Sequence, residues 1–126
     1  ITESTTTTTL TETSVTVPAP EPSEYQELKV YFLDVGQGDS CFIELPNKET
    51  MLIDAGESEY ADSIVTYIYG RGYDTLDYVI ATHPHADHIG GMADVLYTFN
   101  IKNFYATAFT TTTQTYERML DAVVLC

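Results

Sequence analysis

Basic side chains are scarce: five Lys and Arg stand against 19 Asp and Glu, a formal charge of −14. A field of that sign repels nucleic acid and anionic lipid rather than recruiting them. Cysteine is nearly absent as well. Cys41 and Cys126 are too few for a disulfide framework, and no bridge between them is expected. Cys41, inside the apolar run Ser40-Cys41-Phe42-Ile43, reads as a small buried thiol that a reagent should reach only after denaturation. No run approaches the ~18 apolar residues that span a bilayer, internal repeats are missing, and no histidine follows His88.

What is present suits one modest domain. The 126 residues are too few for two cores, and 44% apolar content with ten Tyr and five Phe is enough for one. Residues 1–27 stand apart: nine Thr by position 16, then Pro18, Pro20 and Pro22 with interspersed Glu and no base. Such a stretch buries too little apolar surface to offset chain entropy, so it is expected to be a solvated linker that proteases remove first. Linkers of this composition commonly tether an exported bacterial domain to a membrane anchor or wall. A first residue of Ile rather than Met suggests a lost secretion signal or lipoprotein anchor, and an extracellular or surface-tethered location is expected. The remaining residues, 28–126, keep 14 acids against all five bases.

From Leu28 the pattern has period two, with Leu28, Val30 and Phe32 alternating with Lys29 and Tyr31, and it predicts a strand that ends in the turn Gly36-Gln37-Gly38-Asp39. Asp34 and Asp39 are assigned to fixing that turn. Ser40–Leu45 and Thr50–Asp54 read as two further strands around a turn at Pro46-Asn47-Lys48-Glu49. Tyr60, Ile64, Val65 and Ile68 form a helical stripe over about 58–69, stopped by Gly70 and Gly72. Leu76–Ala81 is almost continuously apolar, as a strand buried on both faces would be. A short helix to about Phe99, a strand near Phe104, a Thr-rich loop at 110–113 and a helix from Gln114 follow. Tyrosines at 60, 67, 69, 73, 78, 97, 105 and 116 fall in these patterns and are assigned to core and half-buried packing.

All three histidines fall within six residues, in His83-Pro84-His85-Ala86-Asp87-His88, at the C-terminal edge of the predicted apolar strand. That edge is where open α/β sheets carry functional groups. His83 and His85, two apart on an extended segment, point the same way and can share one metal. Asp87 and His88, after a turn, can face a second. Imidazole with carboxylate suits zinc or a similar borderline ion, and two adjacent ions can activate a water and clamp the oxygens of a scissile ester. Gly90-Gly91 allows close backbone approach behind the cluster.

The string Thr82-His83-Pro84-His85-Ala86-Asp87-His88-Ile89-Gly90-Gly91 closely resembles the HxHxDH motif of the metallo-β-lactamase superfamily. Asp34-Val35-Gly36-Gln37-Gly38-Asp39-Ser40, followed by Leu52-Ile53-Asp54-Ala55-Gly56, resembles the subgroup found as the extracytoplasmic domain of ComEC-type DNA-uptake competence proteins and in their free-standing secreted relatives. The resemblance covers about residues 28–126. It implies the N-terminal half of an αββα sandwich, an α/β mixed sheet covered by helices. It further implies two divalent metal ions, zinc first and manganese second, with His83 and His85 on one, Asp87 and His88 on the other, and Asp87 as candidate general base. Asp54 matches a residue that supports the metal-binding loop and receives an imidazole N–H; it reads equally as a turn or cap carboxylate.

The family draws further ligands, a His, a bridging Asp and a final His, from a second αβ half, and this sequence has no counterpart of them. Two ligands per ion fall short of the three usual for catalytic zinc. The expected function is therefore metal-dependent hydrolysis, with a phosphodiester such as DNA as substrate, by an enzyme of which these residues are a fragment. The competing expectation is a truncated, inactive extracellular remnant or binding module. As an isolated chain it is expected to be inactive.

Overall fold

A computed structural model describes Pro18 and residues 27–126; the expected linker at 1–27 lies otherwise outside the described residues. Strands β1 (Lys29–Phe32), β2 (Cys41–Glu44) and β3 (Thr50–Ile53) form an antiparallel meander. A 3₁₀ turn (Ser58–Tyr60) leads into helix α1 (Ala61–Gly70). Two short strands follow, β4 (Thr75–Leu76) and β5 (Tyr78–Ala81). Helices α2 (Ala86–Ile89) and α3 (Met92–Thr98), strands β6 (Asn100–Ile101) and β7 (Phe104–Ala106), and helix α4 (Gln114–Leu125) complete the chain. The main sheet has the order β1-β2-β3-β5-β7, with β5 parallel to both β3 and β7; β4 and β6 form a separate parallel pair. This is the mixed sheet with helices expected for a partial αββα sandwich.

Period-two alternation sends Phe42, Leu52 and Val79 to one face, where they are fully buried with Ile64 and Ile68 of α1, Met92 and Leu96 of α3 and Met119 of α4. Neighbours in register put Phe32, Cys41, Ile53, Ile80 and Tyr105 in one row on the opposite face. That face is open: Phe32 is 85% and Tyr105 54% exposed. Among the described residues no helix is long and apolar enough to cross a membrane.

Three expectations are corrected. The strand at 76–81 is two strands buried on one face, because the Asp77 carboxylate turns in to accept the Thr50 N–H at 2.8 Å and interrupts the run. Tyr78 and Ile80 are only half-buried. Cys41 is half-buried, since its position in β2 points to the open face; it and Cys126 are free. Tyr69, Tyr97 and Tyr105 are exposed rather than packed in the core.

Candidate metal centre

Three sequence blocks far apart in the chain are tied together here by backbone hydrogen bonds. The Asp39 N–H donates to the Asp87 carbonyl at 3.1 Å, Ala55 N–H to the His88 carbonyl at 2.7 Å, and Gly91 N–H to the Gly56 carbonyl at 3.1 Å. Such approaches need bare backbone. A Cβ on Gly38 would lie 2.7 Å from the Asp87 carbonyl oxygen, and one on Gly90 would lie 2.7 Å from Glu57 Cα. Both glycines are present because no side chain fits between these segments.

Asp54 ends β3. Its N–H still donates to the sheet, to Ile80 at 2.8 Å, while its φ of +62° turns the chain out of the strand. Aspartate tolerates that left-handed conformation better than most residues. Ser40 Oγ donates to the Asp54 carbonyl at 3.0 Å and holds the turn. The buried carboxylate then becomes a hub: Oδ1 accepts the Thr82 N–H at 2.8 Å, and Oδ2 accepts the Thr82 hydroxyl and the His88 Nδ1 proton, the latter at 2.8 Å. Burial of His88 alone would lower its pKa. The hydrogen bond and charge of Asp54, with Asp87 and Asp39 close by, outweigh that effect and raise it.

His83 and His85 lie in the loop after β5, and His88 in the short helix α2 that follows. His83 packs closest to His88, with ring centroids 4.5 Å apart, whereas His83 and His85 are 6.2 Å apart. His88 Nε2 points toward Asp87, 3.8 Å from Oδ1. Pro84 is buried and anchors the loop, leaving His83 and His85 exposed. These donors suit a borderline divalent ion in kind. Among the described residues no three His, Cys, Asp or Glu side chains converge to hold an ion.

Sequence spacing did not indicate two features of the centre. Asp39 is directed to the histidines rather than to its own turn, 3.6 Å from His88 Nδ1, while Asp34 Oδ1 accepts the Gly36 N–H at 3.4 Å. Thr82 bridges Asp54 and both neighbouring imidazoles, and nothing in the spacing singles it out beyond its place before His83. A pocket of about 260 Å³, lined in part by Gly38, Asp39, Ser40 and Asp54, opens beside the hub. A larger groove of about 530 Å³, between β1 and α1, includes none of the histidines.

Comparison with known proteins agrees with this architecture. Over 62 residues, 48% of this chain and 19% of the relative, it is 37% identical to the lactamase-like protein notP of Aspergillus sp. (strain MF297-2). It is 37% identical over 59 residues, 45% of this chain and 21% of the relative, to the anti-Pycsar protein Apyc1 of Bacillus phage 010DV004. With the atrochrysone carboxyl ACP thioesterase dmxR1 of Cryptosporiopsis sp. (strain 8999), identity is 36% over 62 residues, 48% of this chain and 19% of the relative. The matched part of this chain thus spans about a fifth of the length of these curated relatives. The family model of the metallo-beta-lactamase superfamily matches residues 33–123, and on that match the chain belongs to the metallo-beta-lactamase superfamily.

Proposed function

We propose that this chain carries the N-terminal metal-binding half of a hydrolase, with His83, His85, Asp87 and His88 as metal donors and Asp54 as the residue that orients His88. The observation that supports it most is the Asp54 hub, which holds His88 by Nδ1 and leaves Nε2 turned to Asp87. Outer carboxylates commonly hold ligand imidazoles in this way. When bound, a divalent ion, zinc first and manganese second, polarises a scissile ester and makes water acidic enough to attack near neutral pH. Asp87, in the first turn of α2, would then take up a proton from the water on its carboxylate and so serve as general base.

Our reading of the substrate is a phosphodiester such as DNA. Its support is the Asp34–Ser40 and Leu52–Gly56 blocks, which resemble ComEC-type proteins and here pack directly against the histidine loop through Asp39, Ala55 and Gly56. The composition of residues 1–27 supports an exported, surface-tethered location for the protein. A second reading, an inactive remnant or binding module, is favoured by no three such donors converging among the described residues.

Sequencing the coding region on both sides of these 126 codons separates the two readings. An in-frame continuation encoding a further His, Asp and His supports the hydrolase; an immediate stop supports the remnant. The substrate class is tested by assaying the complete coding product with phosphodiester, thioester and β-lactam reporters after chelation and metal return. Preference for the phosphodiester, abolished by His83→Ala with His85→Ala, is expected. Preference for a thioester or β-lactam contradicts the substrate reading.

A further inference from the structure

The hydroxyl of Thr82 has one proton, and that proton is taken. Thr82 Oγ1 donates to Asp54 Oδ2, since a carboxylate oxygen only accepts. Toward any further partner Oγ1 therefore offers lone pairs. His83 Nδ1 stands 3.1 Å from this oxygen, a contact that is a hydrogen bond only if the ring proton is on Nδ1. The same reasoning applies to His88, whose Nδ1 lies 2.8 Å from Asp54 Oδ2 and 3.5 Å from Thr82 Oγ1. A neutral imidazole protonated at Nδ1 has its lone pair on Nε2.

We propose that Thr82 is a positioning residue that sets the tautomer of His83. By accepting from Nδ1 it presents Nε2 as a bare donor, while Asp54 does the same for His88. One buried carboxylate thereby orders both imidazoles, His88 directly and His83 through the threonine hydroxyl. The value of this arrangement to a cation rests on the metal reading above; the tautomer itself is a property of the metal-free chain.

Long-range proton–nitrogen correlation spectra of the metal-free chain with ¹⁵N-labelled histidine test it, recorded well above the ordinary histidine pKa so that the rings are neutral. The expected spectrum shows His83 protonated on Nδ1 in the wild type and in Thr82→Ser. Thr82→Val, equal in shape but lacking the hydroxyl, moves His83 toward the Nε2–H form that free histidine prefers, while His88 stays on Nδ1. A wild-type His83 protonated on Nε2, or a Val variant identical to wild type, overturns the proposal. If the Val variant fails to fold, the wild-type and Ser spectra still decide, because a His83 Nε2–H form in either overturns it.

Zinc titration of the same samples separates the two readings. Thr82→Val should bind about tenfold more weakly, in the range such outer partners contribute, and Thr82→Ser should restore binding. Tautomers as stated but no zinc binding by any variant support the Thr82 role and contradict the metal reading. Zinc binding with His83 unmoved by the Val change does the reverse.

Discussion

Asp54 is a buried carboxylate, and a buried carboxylate is tolerated only when donors surround it. Here the donors are the Thr82 N–H, the Thr82 hydroxyl and His88 Nδ1. Asp54→Ala strands all three groups. A loss of about 1–2 kcal/mol is expected in urea unfolding, the scale of hydrogen bonds to a charged group whose donors stay partly open to water; a change under about 0.5 kcal/mol, the range of ordinary surface substitutions, would contradict the hub. A second cluster sits at the far end of the sheet from the histidines. Arg71 donates to Glu44 at 3.0 and 3.1 Å and stacks 4.4 Å over the Tyr31 ring, and Tyr73 donates to Glu44 at 2.7 Å. The Arg71 guanidinium, against the opposing effect of burial and with help from the tyrosine hydroxyls, pulls the Glu44 carboxyl down to about 2. The same bond to Glu44, with burial, pushes Tyr73 up to about 12.

The sign of the Glu44 contribution follows from that depression. A carboxyl that is more acidic folded than unfolded stabilises the fold above its unfolded value and loses that contribution as pH falls through its folded one. Acid unfolding of the wild type should therefore show Glu44 protonation between about 4.5 and about 2. Glu44→Gln should cost about 1–3 kcal/mol at neutral pH, the scale of hydrogen bonds to charged groups. Its deficit against wild type should shrink across that window, and a deficit independent of pH would show that the charge is not what Arg71 requires.

At the scale of elements, local regularity was legible and distant contact was not. The stripe of Ile64 and Ile68 and the alternation through Phe42 and Leu52 announced α1, β2 and β3 because burial follows the geometric period of each element. The break at Asp77 was illegible because its cause is Thr50, 27 residues away. The β4–β6 pair, two residues a strand, has no period to read. Cys41 lies in a strand as expected but is half-buried on the open face, since an apolar run does not tell which side is covered. The same holds at the candidate site. Three clustered histidines stand out in any reading, whereas Thr82's link to Asp54 spans 28 residues and exists only in the fold.

Two substitutions probe how these elements are joined. Gly90→Ala places a methyl group 2.6 Å from the Ala86 carbonyl oxygen and against Glu57, so backbone must shift; a loss of about 1–3 kcal/mol is expected, the scale of forced overpacking. Thr113 caps α4 by accepting the Tyr116 N–H at 3.2 Å. Thr113→Ala should cost about 1 kcal/mol, and thermal unfolding followed by circular dichroism measures both. An unchanged midpoint for Gly90→Ala would mean that α2 does not sit as tightly on the 3₁₀ turn as described.

At the scale of the whole molecule, one face of the sheet is packed under helices and the other is an open apolar row from Phe32 to Tyr105. The histidine loop lies at the C-terminal end of β5, between β3 and β7 in the sheet, and among the described residues no three of its donors converge. The matched part of the chain spans about a fifth of each relative's length, and under the proposed function the histidine loop supplies only part of a coordination shell. The most direct measurement of that claim is calorimetric titration of zinc into the metal-free 126-residue chain, alongside the His83→Ala, His85→Ala double variant, with chain size checked by chromatography. Weak binding that the double variant loses is the predicted result. Tight stoichiometric uptake of two zinc ions by a monomer, or binding indifferent to both histidines, would contradict it.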